Sequence, residues 1–140
     1  MIFEMKLQKD SFQKVALGMK TIELRLFDEK RRRLNIGDDI IFTEIAENPG
    51  KLAVRIKALY RYESFANLFT EISPERCGNS RGESIEDANS GMNKYYSESQ
   101  IRKYGVLGIK MELIPLEDAL NRLVSINESE FERLFPDGMK

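Results

Sequence analysis

A run of alternating residues in the middle of the chain limits what it can fold into. Apolar residues occupy every second position from Leu52 to Tyr60, and Arg55 and Lys57 lie between them. A period of two is typical of a β-strand with one buried face. The preceding segment 47–50, with the sequence ENPG, is a strong turn signal. Together they predict an antiparallel hairpin with the strand before the turn.

The same alternation predicts two further strands, and Gly105 is expected to lead into a last one. With the hairpin, the predicted strands are residues 2–7, 20–26, 39–45, 52–60 and 106–114. Segments with helical spacing lie between them. We therefore predict an α+β fold with a small, curved, mixed sheet or barrel of about five to six strands flanked by helices.

Helix boundaries are predicted from capping residues. Asp10 is expected to N-cap the first helix, Gly18 to end it, and Ser64 to N-cap a second helix. A short helix is predicted over residues 97–103. Residues 76–94 are polar, contain glycine and have weak periodicity, so they are predicted to form a long loop with at most one helical turn.

The end of the chain is predicted to be helical. Pro115 fits the first position of a helix that carries Leu116, Leu120 and Leu123. A capping box from Asn127 to Glu130 predicts a last helix, which would bear the apolar residues Phe131, Leu134 and Phe135.

Composition excludes several kinds of site. The 140 residues fit one domain, and there is no histidine, which excludes Ser-His-Asp and Cys-His catalysis. The single cysteine, Cys77, cannot form an internal disulfide and indicates a reduced, cytoplasmic compartment. No secretory signal or stretch of ~20 apolar residues is present, so no membrane partner is expected. No metal and no cofactor is predicted, because neither paired cysteines nor calcium-loop spacing occurs.

Charge is distributed unevenly along the chain. Residues 1–62 carry 13 Lys and Arg against 9 Asp and Glu, whereas residues 63–140 carry 9 against 14. The two parts have net charges of +4 and −5. A basic front part could attract phosphates, although ordinary variation of surface charge explains the same pattern.

The second predicted strand places several polar side chains together. Thr21, Glu23 and Arg25 share one face of the strand, and Lys20 lies at its entrance after a glycine turn. Opposite charges here could form a salt-bridge ladder on a solvated sheet face. They could equally offer donors and acceptors to a polar ligand. The next segment, Lys30, Arg31, Arg32 and Arg33, is either a phosphate-contacting nucleic-acid surface or a solvated helix face.

Residues 18–25 (GMKTIELR) followed by residues 37–42 (GDDIIF) resemble the G-x-K-x-x-E-x-R and G-D-x-I-x-F signature of the ASCH family. The resemblance extends over about residues 2–114. It implies a PUA-like barrel over residues 1–114, with residues 115–140 as a helical extension packed on the same domain.

The resemblance also implies a cleft that binds RNA, a nucleotide or a modified nucleoside. Carried over to this sequence, the ligand-binding residues would be Lys20, Thr21, Glu23, Arg25, Ser64 and Tyr104. One branch of the family hydrolyses acetylcytidine with a threonine where this chain has Glu23, so that nucleophile is not transferred. A hydrolase acting on a modified nucleoside or on RNA, with Lys20 and Glu23 in acid–base roles, remains an alternative. A protein-interaction module is the second alternative, and the C-terminal helices suggest a possible homodimer.

Overall fold

The computed structural model describes residues 1–124 and residue 133. The strands are β1 (Ile2–Gln8), β2 (Ile22–Leu26), β3 (Asp39–Ile45), β4 (Lys51–Tyr62) and β5 (Val106–Ile114). The helices are α1 (Lys9–Ala16), α2 (Phe65–Glu71), α3 (Ile85–Met92), α4 (Glu98–Tyr104) and α5 (Leu116–Val124). Short 3₁₀ turns cover Arg31–Arg33 and Pro74–Cys77. The α+β prediction is confirmed.

The five strands form one mixed sheet in the order β1-β3-β4-β5-β2. β1 runs parallel to β3, and the other neighbouring pairs are antiparallel. The sheet curls into a half-barrel, as expected of a PUA-like fold. Within the described residues, β1 and β2 are the two edge strands. The barrel is therefore open between them.

The sheet buries apolar residues on both faces, so alternation along each strand separates two packing layers. One layer contains Met5 and Phe42 together with residues from β4, β5 and α1. On the opposite face, Ile2 and Ile41 pack against Ala119 and Leu120 of α5. A third cluster joins β2 to α2, α3 and α4.

Helix α5 is fastened to the sheet by charge as well as by apolar packing. Arg122 Nη1 lies 2.7 Å from Oδ2 of Asp39, whose side chain is fully buried and which also pairs with Arg55. Further along, Arg133 Nη1 lies 2.8 Å from Oε2 of Glu4 on β1. Apart from residue 133, the predicted last helix lies outside the described residues.

Two local predictions were wrong. Helix α1 begins at Lys9 with Gln8 at the N-cap position, and Asp10 instead pairs with Lys14 within the helix. Residues 76–94 are not mainly loop, because α3 forms there with Ser84 Oγ accepting a hydrogen bond from the Asp87 N–H.

No helix in the described part of the chain has the length and apolar character required to cross a bilayer.

Candidate ligand-binding cleft

The turn from α1 into β2 sets the positions of the charged residues. Gly18, with a φ of 75°, ends α1 in a conformation that favours glycine. Strand β2 then buries Ile22, Leu24 and Leu26 on the core side, where they pack with α2. Glu23 and Arg25 consequently point to the opposite side of the strand.

Glu23 is surrounded by hydrogen-bond donors at the floor of this site. Its Oε1 atom lies 2.8 Å from Lys20 Nζ and accepts a 3.1 Å hydrogen bond from the Leu24 N–H. Its Oε2 atom accepts hydrogen bonds from Arg25 Nε at 3.0 Å and Arg25 Nη2 at 2.9 Å. A carboxylate has about four acceptor positions on its two oxygens. All of them are occupied within the protein.

The environment keeps Glu23 ionised. Burial alone would raise its pKa, but the positive charges of Lys20 and Arg25 and their hydrogen bonds outweigh burial and lower the pKa below its usual value. The exposed side-chain fractions are 9% for Lys20, 5% for Glu23 and 16% for Arg25. This group is therefore a nearly desolvated ion network and not a salt-bridge ladder on an open face.

Arg25 also joins the two edges of the sheet. Its Nη2 atom donates a 2.7 Å hydrogen bond to the backbone carbonyl of Lys6 on β1. The side chain thus crosses the open side of the half-barrel from β2 to β1. Among the described residues, none of its hydrogen bonds uses Nη1.

The three side chains line a cleft of about 400 Å³ in the opening between the two edge strands. Its walls come from β1, α1, β2, the segment 77–83 and α3. The charged lining residues are Lys6, Asp10, Lys14, Lys20, Glu23, Arg25, Glu83 and Lys94. Among the described residues, five cations face three carboxylates, an excess of two positive charges in a chain whose net charge is −1.

Gly78 lets the Lys20 side chain reach the floor. Its φ is +93°, and a Cβ atom there would lie 2.9 Å from Lys20 Cδ. The carbonyl oxygen of Gly78 also accepts a 2.7 Å hydrogen bond from Lys14 Nζ. The neighbouring Cys77 is buried, and burial raises the pKa of its thiol to about 12. This thiol is therefore protonated at neutral pH and unsuited to nucleophilic chemistry.

Two tyrosines that follow α3, Tyr95 and Tyr96, also line the cleft. Tyr96 stacks on Phe65, with ring centroids 5.8 Å apart, and burial raises its pKa. Tyr95 is 63% exposed and also lines the cleft. Of these two tyrosines, Tyr95 has the more accessible ring for a ligand.

The structure does not bring all of the predicted ligand residues together. Thr21 lies outside the cleft lining, and its backbone pairs with Arg76 and Met111. Ser64 and Tyr104 line a second, wider cavity on the other side of α3. The Ser64 hydroxyl caps α2 by accepting from the Asn67 N–H.

The basic segment 30–33 also lies away from the cleft lining. Arg31 pairs with Asp28 at 3.2 Å, and the guanidinium of Arg32 lies 5.2 Å from the Phe27 ring centre. Arg61 contacts the same ring at 4.4 Å. Lys30, Arg32 and Arg33 are exposed, so a nucleic-acid role for this segment stays a prediction.

Within the described residues, no group of three or more Cys, Asp or Glu side chains is arranged to hold a metal ion.

Sequence and structure comparisons identify related proteins. Residues 5–115 match the family model of the ASCH domain. The crystal structure of the hypothetical protein PH0355 is 38% identical over 81% of this chain and 100% of that one, with a TM-score of 0.73. The solution structure of protein PF0455 from Pyrococcus furiosus is 37% identical over 81% and 98%, with a TM-score of 0.63.

A more distant structure shares the fold alone. A serine-to-alanine mutant of ZmASCH from Zymomonas mobilis is 13% identical, with a TM-score of 0.52 over 95% of this chain and 93% of that one. No curated protein is significantly similar to this chain.

Proposed function

We propose that this chain, which belongs to the ASCH domain family, binds a nucleotide unit, either free or within single-stranded RNA, in the cleft between β1 and β2. The family is RNA-binding-like in general. The observation that supports this cleft most strongly is the pair Lys20 and Arg25, which Glu23 holds almost out of solvent at its floor.

The chemistry of the lining suits a nucleotide. The excess of positive charge attracts phosphate, and ammonium and guanidinium groups bind phosphate oxygens by charge-assisted hydrogen bonds. Tyr95 offers an exposed ring at the wall, and base–aromatic stacking contributes about 1–3 kcal/mol per base. The cleft volume lies in the usual range for small-ligand sites.

The hydrolase alternative has less support. A general base works best when its pKa lies near the operating pH. The cations beside Glu23 instead lower its pKa, and its acceptor positions are filled within the protein. A water molecule would have to displace one of these hydrogen bonds before Glu23 could activate it.

The test is a binding titration of short single-stranded RNA with variants at the rim, where the fold is not at risk. Lys6 and Lys94 are exposed cleft residues, so Lys6→Ala and Lys94→Ala should weaken RNA binding. Each substitution should also reduce the slope of the logarithm of the binding constant against the logarithm of the salt concentration by about one. Lys57→Ala is the matched control, because Lys57 is exposed and lines neither cavity. Equal affinity of all three variants and the wild type would contradict the proposal.

A further inference from the structure

Within the described part of the chain, the side chains at the floor of the cleft, Lys20, Glu23 and Arg25, present donors to a ligand and no free acceptor. Each oxygen of Glu23 already accepts two hydrogen bonds. Lys20 Nζ has three donor positions, and its only ion pair among the described residues is with Glu23. Arg25 Nη1 likewise keeps its donors. A ligand group that reaches this floor must therefore be rich in acceptors.

Because these donors lie deep in the cleft, they are easier to reach for a terminal phosphate than for a phosphate inside an RNA strand. Lys20 is more than nine-tenths buried, whereas the cations Lys6 and Lys94 and the Tyr95 ring are exposed. A phosphodiester inside an RNA strand has nucleotides attached on both sides, so it can approach an exposed cation more easily than a buried one. A terminal phosphate monoester has chain on one side only and three free oxygens. It can enter the cleft end first.

The positive charge of the cleft also favours a terminal phosphate monoester. At the floor, two cations face one carboxylate, whereas Lys14 in the adjoining wall is paired with Asp10 at 3.1 Å. A monoester carries about −1.5 to −2 charges at neutral pH, compared with −1 for a diester. The surplus positive charge of the cleft is thus better matched by the monoester.

We propose that the cleft takes its ligand with a terminal phosphate monoester inward, bound by Lys20 and Arg25, while the base lies at the rim beside Tyr95. This inference rests on the proposed function and narrows it. The ligand is then a nucleoside monophosphate or the phosphorylated end of a single-stranded RNA. In both cases, Glu23 acts as a positioning residue and does not touch the ligand.

The experiment compares fluorescence anisotropy of one short, 3′-labelled single-stranded RNA with either a 5′-phosphate or a 5′-hydroxyl. A third probe has its label at the 5′ end and a 3′-phosphate. At least one phosphorylated form should bind about tenfold more tightly than the hydroxyl form. Competition by a nucleoside 5′-monophosphate, with the nucleoside as control, shows whether the free nucleotide is also a ligand.

Two protein variants show which residues cause the preference for the phosphorylated end. Lys20→Met should remove the preference for the phosphorylated end, whereas Lys94→Ala should weaken binding of both forms alike. If Lys20→Met does not fold, the wild type still provides the test. Its preference for the phosphorylated end should be smaller at about pH 5.5 than at about pH 7.5, because the second pKa of a phosphate monoester is about 6.

The outcomes separate the two proposals. Binding of RNA with no preference for either phosphorylated end would overturn the inference and leave the proposed function standing. A preference that persists unchanged in Lys20→Met would overturn the assignment to this floor. If neither RNA nor nucleotide binds, both proposals fail.

Discussion

Glu23 sits where solvent scarcely reaches it and holds two cations within hydrogen-bond distance. Breaking a buried ion pair on one side typically costs about 3–5 kcal/mol, because the remaining charge stays desolvated. At the residue scale, the shape of the site therefore depends on this carboxylate more than on either cation. Glu23 fixes the positions of Lys20 and Arg25 through these contacts, and the proposed ligand site depends on both cations.

The Glu23 network should give the protein a pH-dependent stability. The pKa of Glu23 is lower in the folded protein than its ordinary value of 4.5, because Lys20 and Arg25 stabilise the charged form. Its contribution to stability is thus fully present above about pH 4.5 and is lost as the pH falls below that value toward the lowered pKa.

We expect Glu23→Gln to lower the free energy of unfolding by about 3 kcal/mol at neutral pH and to lose less stability on acidification than the wild type. Urea unfolding at neutral and acid pH measures both effects. Glu29→Gln is the control, because the Glu29 side chain is exposed. Parallel pH profiles of the wild type and Glu23→Gln would contradict this account.

A substitution at Gly78 tests how tightly the Lys20 side chain is held in place. Gly78→Ala should cost about 1–2 kcal/mol for its positive φ and a further ~1–3 kcal/mol because the new methyl group overlaps Lys20 Cδ. Gly82→Ala is a matched control, since Gly82 has a φ of +77° and open space around it. The two variants, compared by thermal unfolding, should differ. Equal losses of stability would show that Lys20 moves aside freely.

At the scale of secondary-structure elements, α5 closes the face of the sheet opposite the main core. Ala119 and Leu120 are buried against Ile2 and Ile41. The described apolar residues of this helix therefore pack against its own sheet.

Leu120→Ala should lower the free energy of unfolding by about 2–5 kcal/mol, because it leaves a cavity under the helix. Asn121→Ala, at the adjacent exposed position, should change stability by no more than about 0.5 kcal/mol. Denaturant unfolding of the two variants measures the difference. A small loss in Leu120→Ala would mean that α5 contributes little to the fold.

Elements with strong periodicity were predictable, and α3 was not. Strands β1, β2 and β4 alternate in sequence, β3 and β5 follow turn signals at Gly37 and Gly105, and α2 shows apolar spacing after a serine cap. Helix α3 has only eight residues, four of them polar, and it buries Ala88 alone, so its apolar spacing is too short to stand out in a polar segment that contains glycine. This helix forms one wall of the cleft. Its lining residues Met92 and Gly91 were consequently missed.

The candidate site was predictable only in part for a related reason. Residue spacing on β2 places Glu23 and Arg25 on one face, and the structure agrees. Spacing cannot show that Glu23 is saturated with donors, because Lys20 arrives from a turn and its path depends on Gly78 in a distant segment. The separation of Ser64 and Tyr104 from the cleft depends on α3, which lies between the two cavities.

At the scale of the whole molecule, the half-barrel and the cleft are one feature. The sheet leaves its edges β1 and β2 unpaired with each other within the described residues, and Arg25 spans the opening between them. An open sheet edge usually requires protection from unwanted pairing. Here charged side chains line the opening, and the same charges form the proposed ligand site. The possible homodimer remains a prediction that size-exclusion chromatography with light scattering can check.

Nucleotide binding between β1 and β2 can be located by an NMR titration of the isotope-labelled protein with each of the four ribonucleoside 5′-monophosphates. Binding in the cleft should change the amide shifts of residues 6–14, 20–25 and 77–96, which surround it. Shift changes centred on Arg61, Arg102 and Tyr104 would place the ligand in the second cavity and contradict it. So would the absence of any shift both with these nucleotides and with short single-stranded RNA that carries a phosphate at either end.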